Sequence, residues 1–197
     1  MQFLNEAAIT ISNGGVLIYP TETVYGIGGD AHHEEVIARV QKIKGRDAQK
    51  PMLVLTDVWE RALPWIAEQT HVHQALMDTD LPLTILFKPT DRVPKRLRAL
   101  SPLIGIRKTT NPFCQKLIKN TGSLLLSTSA NPSGSPAVHD LSQLPSDFLA
   151  KADLTVDFGP LPAQLPSSVV MVEAGNIRLV REGGVGLAEL NRLLGVE

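Results

Sequence analysis

The sequence predicts a single α/β domain in which a mixed β-sheet is flanked by helices. Short apolar runs, typical of buried strands, alternate with segments whose apolar residues have helical spacing. Some predicted strands follow one another with no helix between them, which favours a sheet with both antiparallel and parallel neighbours. The 197 residues, 43% of them hydrophobic, suit one domain with a sizeable core. We therefore expect residues 1–197 to form one domain.

The elements can be placed in chain order. A helix over about 3–12 should end at the Asn-Gly-Gly of 13–15, and the apolar run 16–19 should be a buried strand. Residues 21–31 contain three glycines and are predicted to form a loop. Apolar spacing predicts a helix over Glu34–Lys44, ended by Gly45. The later predictions are strands at 52–55, 84–87, 103–106, 123–127, 154–157, 168–172 and 177–181, and helical segments at 57–78, 112–120 and 187–194.

Composition narrows the class of protein. No run of about 18 apolar residues occurs, and the first residues lack the basic and apolar regions of a signal peptide, so we expect a cytoplasmic protein without a membrane span. The only cysteine, Cys114, fits a reducing compartment. Because it lies in an apolar helical pattern, it is predicted to be a core residue and not a nucleophile.

The basic residues are unevenly distributed. The net charge is −1, yet the stretch from Lys88 to Lys119 holds nine basic residues against one acid, Asp91. This stretch is either a solvated face or a surface for an anion such as RNA, and the sequence leaves both interpretations open.

Familiar nucleotide and metal motifs are absent or weak. There is no P-loop, and the spacing Gly26-x-Gly28-x-x-Ala31 begins too far after its strand for a dinucleotide fingerprint. His71-x-His73 lacks an evident third ligand, so the histidines are predicted to lie on the surface and no metal site is assigned.

Polar clusters follow three of the apolar runs or helices. They occupy residues 20–26, residues 44–46 together with Lys50, and residues 127–131. Ligands of α/β sheets bind where loops follow the strands. Lysine and arginine suit phosphates, and small hydroxyl groups supply neutral donors. Each cluster alone also fits capping and turn chemistry. Together they predict a site for an anionic, polar ligand.

Six sequence motifs carry a resemblance to a known family. PTETVYGIG, KGR with KPMLVL, IGIRKTTNPF, STSANPSG, PSSVV and LVREG occur in this order over about residues 15–184. The chain resembles the YrdC/TsaC family of threonylcarbamoyl-AMP synthases. The resemblance implies a twisted mixed sheet with a concave, positively charged cavity on one face. It also implies synthesis of threonylcarbamoyl-AMP and pyrophosphate from L-threonine, bicarbonate and ATP, which supplies threonylcarbamoyladenosine in tRNA next to the anticodon.

The same resemblance implies roles for individual residues. The positions matched to ATP and its phosphates are Lys44, Arg46, Lys50, Ser129, Asn131 and Arg181. The positions matched to threonine or bicarbonate are Thr23, Arg107, Ser127 and Ser167. Mg²⁺ is expected to arrive with ATP, and no general base is assigned. The implied partners are tRNA and the threonylcarbamoyl-transferase proteins.

The chain also departs from the family pattern in places. One proline, Pro82, remains of the usual Pro-Gly-Pro, Leu55 stands where some members have histidine, and RKTTNP differs from R-x-P-x-H-P. Two other functions therefore stay open, an RNA-binding module without synthase activity and a carbamoyl-transfer domain. The retained K-x-R and S-x-N motifs favour a synthase.

Overall fold

The computed structural model describes residues 2–45, 51–162, 164–193 and 195. Within these residues one nine-stranded sheet has the order β7-β1-β2-β6-β3-β5-β4-β8-β9. Its strands are β1 Leu17–Pro20, β2 Tyr25–Asp30, β3 Leu53–Thr56, β4 Leu83–Phe87, β5 Ile104–Lys108, β6 Leu125–Ser129, β7 Leu154–Thr155, β8 Ser168–Glu173 and β9 Asn176–Arg181. The strand pair β3–β5 is parallel, whereas β3–β6 is antiparallel. The predicted α/β class with a mixed sheet is confirmed.

Eight α-helices accompany the sheet in the described part of the chain. They are α1 Gln2–Ser12, α2 Glu34–Lys44, α3 Trp59–Ala62, α4 His71–Met77, α5 Lys95–Leu100, α6 Pro112–Thr121, α7 Ser146–Leu149 and α8 Leu187–Leu193. Two 3₁₀ turns are found at Leu63–Trp65 and Leu141–Gln143. None of the helices in these described segments is long and apolar enough to cross a membrane.

The two faces of the sheet are covered differently. On one face, side chains of α2, α4, α5 and α8 belong to one large core cluster that includes the strand residues Ile18, Ile85 and Ile106. On the other face, a smaller cluster joins α1 and α6 to β1, β3 and β6. Successive strand residues point to opposite faces, so Gly105 and Arg107 face away from the large cluster that holds Ile106. This second face carries the cavity described below.

The prediction of a loop over residues 21–31 holds for residues 21–24 and is wrong for residues 25–30. Residues Tyr25–Asp30 form β2, which pairs with β1 and β6. A Cβ atom on Gly28 would lie 1.6 Å from the carbonyl oxygen of Leu126, and one on Gly29 would lie 2.5 Å from that of Gly15. Glycine is therefore needed here for close backbone approach inside the sheet and does not mark a turn.

Gly28→Ala should destabilise the fold by about 3 kcal/mol, because an added methyl group must push apart two paired strands. Gly184→Ala is the matched control, since its Cβ would meet only Pro82 Cγ at 3.5 Å. Urea unfolding of the two variants checks this prediction. Equal stability of the two would show that β2 and β6 are not packed as described.

The short helices α5 and α7 and the position of His73 also differ from expectation. α5 was not predicted, because it is short and its first four residues, Lys-Arg-Leu-Arg, are mostly charged, so that no apolar helical spacing can be recognised. His73 is buried, stacks on Phe87 with ring centroids 5.1 Å apart, and forms a capping box with Thr70. The predicted surface position is thus wrong for His73, although His71 is exposed.

Cys114 is a core residue, as predicted. It is fully buried on α6, and its Sγ donates to the carbonyl oxygen of Pro20. Burial raises the pKa of the Cys114 thiol above its usual value. The thiol is therefore protonated at neutral pH, which fits a packing role.

Candidate active site

A cavity of about 410 Å³ lies on the second face of the sheet. It is lined by residues of β2, β3, β4, β5, β6, β8 and β9 and of the loop after β1. Six of the ten predicted site residues line it, although they are far apart in the sequence. They are Thr23, Arg107, Ser127, Ser129, Ser167 and Arg181.

Small residues create the concavity. In the register of the sheet, Gly26 of β2 lies opposite Ser129 of β6, and Leu53 of β3 lies between Gly105 of β5 and Ser127 of β6. Glycine and serine project little above the sheet, so the wall recedes where they stand. The cavity therefore follows from residue size at positions that the strand pairing brings together.

Arg107 is the most buried cation of the cavity, with an exposed fraction of 4%. Its Nε lies 3.2 Å from Oε1 of Glu22, and its Nη1 donates to Thr23 Oγ1 at 3.4 Å. Nε is buried and makes no hydrogen bond to any described residue, because its contact with Glu22 is an ion pair without hydrogen-bond geometry. The buried Nε of Arg107 is thus paired with the Glu22 carboxylate by charge alone.

Arg181 brings a second guanidinium group to the same cavity. Its Nη2 donates to the carbonyl oxygen of Ser167 at 2.8 Å and to Ser167 Oγ at 3.4 Å. No carboxylate of the described residues forms an ion pair with it. Arg181 is exposed as a whole residue, yet partial desolvation of its guanidinium group, and then repulsion from Arg107, lower its pKa. Two cations that line one cavity favour an anion in it.

Hydroxyl groups complete the polar part of the wall. Thr84 Oγ1 and Ser167 Oγ lie 2.9 Å apart. Thr21 Oγ1 accepts hydrogen bonds from the backbone N–H groups of Thr23 at 3.1 Å and Val24 at 3.2 Å. These bonds hold the loop that carries Thr23. The wall also contains apolar side chains. The cavity therefore offers cations, hydroxyls and apolar surface to one ligand.

Lys44 lies behind the cavity wall. It is 3% exposed at the end of α2, and its Nζ donates to the carbonyl oxygen of Ser129 and, at 2.9 Å and 3.2 Å, to the carbonyl and side-chain oxygens of Asn131. Ser129 Oγ also donates to Asn131 Oδ1. Lys44 and Asn131 thus support the loop after β6, while Ser129 reaches the cavity itself. Their assignment to ATP remains a prediction.

Two predicted residues lie outside the described part of the chain. Arg46 and Lys50 fall between residues 45 and 51, where no structure is described. Pro51, which follows Lys50 directly, lines the cavity.

The sequence analysis assigned no site role to Glu22 or Thr84. Both stand beside predicted positions, Glu22 next to Thr23 in the sequence and Thr84 next to Ser167 in space. The position of Glu22 inside PTET was the available signal, since a carboxylate beside a site rich in cations is a natural ion-pair partner. Thr84 gave no such signal, because only the parallel pairing of β4 with β8 brings it to Ser167.

The sequence of this chain matches a known protein family and named relatives. The family model Sua5_yciO_yrdC, described as telomere recombination, matches residues 10–183. A threonylcarbamoyl-AMP synthase of Coxiella burnetii is 30% identical over 180 residues, covering 89% of this chain and 96% of its own length.

Two solved structures have closely similar folds. Pyrococcus abyssi Sua5 complexed with L-threonine has a TM-score of 0.88 at 27% identity, covering 98% of this chain and 57% of that one. This chain thus spans little more than half of the Pyrococcus protein. Escherichia coli YciO has a TM-score of 0.84 at 25% identity, covering 96% and 93% of the two chains. With the family model matched over most of its length, the chain belongs to the Sua5/YciO/YrdC family.

Proposed function

We propose that this protein is a threonylcarbamoyl-AMP synthase, which converts L-threonine, bicarbonate and ATP to threonylcarbamoyl-AMP and pyrophosphate. The observation that carries the proposal is the pair Arg107 and Arg181. Both line one cavity, and among the described residues Glu22 is the only acid that pairs with either. Such a cationic excess beside hydroxyl groups suits several anions bound together. Family membership and relatives that carry this name support the same reaction.

Threonine is assigned to the part of the cavity around Arg107. A guanidinium group binds a carboxylate through two parallel hydrogen bonds. The hydroxyl groups of Thr23, Ser127 and Ser167 line the same cavity and suit the polar groups of threonine. The complex of Pyrococcus Sua5 with L-threonine supports a small amino acid as the ligand.

ATP is assigned to Arg181 and to the loop after β6. Arg181 and Ser129 both line the cavity, and Lys44 and Asn131 hold that loop. Arg46 and Lys50, which lie outside the described residues, are assigned to the phosphates from their sequence motifs. Mg²⁺ would enter with ATP and neutralise charge on the phosphates.

The reaction needs no nucleophile from the enzyme. The threonine amine adds to carbon dioxide derived from bicarbonate and loses a proton, which gives a carbamate. A carbamate oxygen attacks the α-phosphorus of ATP, and the bond to the bridging oxygen breaks, so that pyrophosphate leaves. The protein contributes by collecting the anions and by stabilising charge at phosphorus. A cavity that excludes water would protect the labile mixed anhydride.

The product would pass to threonylcarbamoyl-transferase proteins that modify tRNA. This assignment implies a cytoplasmic site of action, where tRNA and ATP are available.

Pyrophosphate release is the experiment that tests the proposal. With Mg²⁺-ATP, the full chain should release pyrophosphate only when both threonine and bicarbonate are present, because the carbamate is the nucleophile. Omitting each substrate in turn provides the controls. Release that ignores threonine, or no release from a folded protein under any condition, would reject the synthase and favour the alternatives.

The main alternative, RNA binding through residues 88–119, receives less support from the structure. Five of the nine basic residues in this stretch form ion pairs with acids. The pairs are Lys88–Glu68, Arg96–Glu34, Arg98–Asp91, Arg107–Glu22 and Lys108–Asp80. The excess positive charge of this stretch is therefore smaller than the sequence suggests.

A further inference from the structure

Glu22 lies directly behind the cavity wall. Its neighbours Thr21 and Thr23 line the cavity, while the Glu22 side chain is only 13% exposed. One carboxylate oxygen, Oε1, lies 3.2 Å from Arg107 Nε, and the other, Oε2, accepts a hydrogen bond from Thr109 Oγ1 at 2.8 Å. The carboxylate therefore links Arg107, which lines the cavity, to Thr109, which does not.

Thr109 is itself held in place. It is fully buried, and its backbone N–H donates to the carbonyl oxygen of Thr56 at 2.9 Å. Its Oγ1 accepts the backbone N–H of Asn111 at 3.2 Å, and its carbonyl oxygen accepts from Gln115 Nε2 at 3.0 Å. A hydroxyl group has one proton to donate. That proton is directed to Oε2 of Glu22, so the buried Thr109 hydroxyl anchors one oxygen of the carboxylate.

These contacts restrict the guanidinium group of Arg107. The group is planar, and two of its nitrogens are near fixed partners, Nε beside Glu22 and Nη1 beside Thr23. The ion pair at Nε, which has no hydrogen-bond geometry, and the hydrogen bond at Nη1 together limit the positions that the group can take. No hydrogen bond joins Nη2 to another residue of the described segments, and Arg107 lines the cavity. Donors of the group are thus left for a ligand.

Glu22 also balances charge. Arg107 is almost fully buried, and a second cation, Arg181, lines the same cavity. Within the described residues, Glu22 is the one carboxylate that pairs with Arg107. Without it, a buried cation would lack compensation, and the guanidinium group would turn toward other acceptors.

We infer that Glu22, anchored by Thr109, is a positioning residue that orients Arg107 to receive the α-carboxylate of threonine. The inference rests on the proposed function, because it assumes that threonine is the ligand. Glu22 does not touch the substrate, and its effect passes through Arg107. Its loss should therefore affect threonine more than ATP.

Four variants and two matched controls test the inference. Glu22→Gln removes the charge at nearly constant shape, and Glu22→Asp keeps the charge but shortens the reach. Thr109→Val removes the anchoring hydroxyl group, and Thr109→Ser retains it. The controls are Glu60→Gln and Thr110→Val, which make the same chemical changes at exposed positions. Calorimetric titration with L-threonine alone and the KM values for threonine and ATP are measured, and circular dichroism checks the fold.

The expected result is specific to threonine. Glu22→Gln should raise the Kd and KM for threonine about tenfold and Thr109→Val about threefold, while the KM for ATP changes less than twofold. Thr109→Ser should restore wild-type binding. Threonine affinities of Glu22→Gln and Thr109→Val equal to or tighter than wild type would overturn the positioning role while leaving the synthase intact. An equal rise in both KM values would also overturn it. A folded wild-type chain that does not bind threonine would reject the proposed function and this inference together.

Discussion

Arg107→Leu should lower threonine-dependent pyrophosphate release by at least about a hundredfold, because hydrogen bonds to charged groups contribute about 1.5–3 kcal/mol each and two are lost. Arg107 is the most buried cation of the cavity and pairs there with Glu22. Leucine leaves no donor for the carboxylate of threonine. Steady-state kinetics with threonine as the varied substrate measure the effect.

Arg107→Lys separates charge from geometry. An ammonium group keeps the positive charge but cannot form the planar, two-point contact, so kcat/KM for threonine should fall about tenfold. Lys108→Gln is the control, because Lys108 is the adjacent residue and its ion pair with Asp80 lies outside the cavity. Full activity of Arg107→Lys would show that only charge matters at this position.

Lys44→Met should damage both stability and catalysis. The ammonium group donates to the carbonyl oxygens of Ser129 and Asn131 and to Asn131 Oδ1. The carbonyl oxygen of Ser129 and Oδ1 of Asn131 keep other donors, so the cost is the loss of bonds to a charged donor. Such bonds contribute about 1.5–3 kcal/mol each, and we expect a loss of about 3 kcal/mol in the free energy of unfolding. Because Ser129 lines the cavity, pyrophosphate release should fall about a hundredfold as the loop after β6 loses its support.

Lys42→Met is the matched control for this change. Lys42 is exposed in the same last turn of α2, so its replacement should leave stability within about 0.5 kcal/mol of wild type. Urea unfolding and pyrophosphate assays on both variants make the comparison. If Lys44→Met were as stable as Lys42→Met, Lys44 would not be a structural support of the loop.

Local signals allowed most of the fold to be predicted. The bounds of α2 agree with the prediction because both signals are local in the sequence. They are the apolar spacing within the helix and the left-handed Gly45, with φ of 58°, directly after it. β2 was not predicted because its glycines allow close approach to the backbone of Gly15 and Leu126. Neither residue is a near neighbour of β2 in the sequence. A sequence read locally cannot distinguish a glycine that turns the chain from one that lets strands approach.

In the site, too, the residues within motifs could be predicted, and the contacts made only by the fold could not. Thr23, Arg107 and Arg181 were assigned from motifs, and the cavity brings them together. Glu22 and Thr109, in contrast, are 87 residues apart, and their hydrogen bond depends on how β1 and β5 are placed in the sheet. No periodicity or spacing could have predicted that contact.

The departure at Leu55 has a structural explanation. Leu55 is fully buried in the smaller core cluster, where it belongs with Phe113 and Leu117 of α6. It does not line the cavity. Its apolar side chain therefore contributes to packing, and the described cavity wall is formed without it.

Detection of threonylcarbamoyl-AMP itself would decide whether this chain is a synthase. The full chain is incubated with Mg²⁺-ATP, L-threonine and ¹³C-bicarbonate, and the quenched reaction is analysed by mass spectrometry. A synthase should form an adenylate that contains threonine and one heavy carbon. This adenylate should disappear when threonine is omitted and should be nearly absent with Arg107→Leu. A folded wild-type chain that forms no such adenylate, or one that forms an adenylate without the heavy carbon, would contradict the synthase proposal.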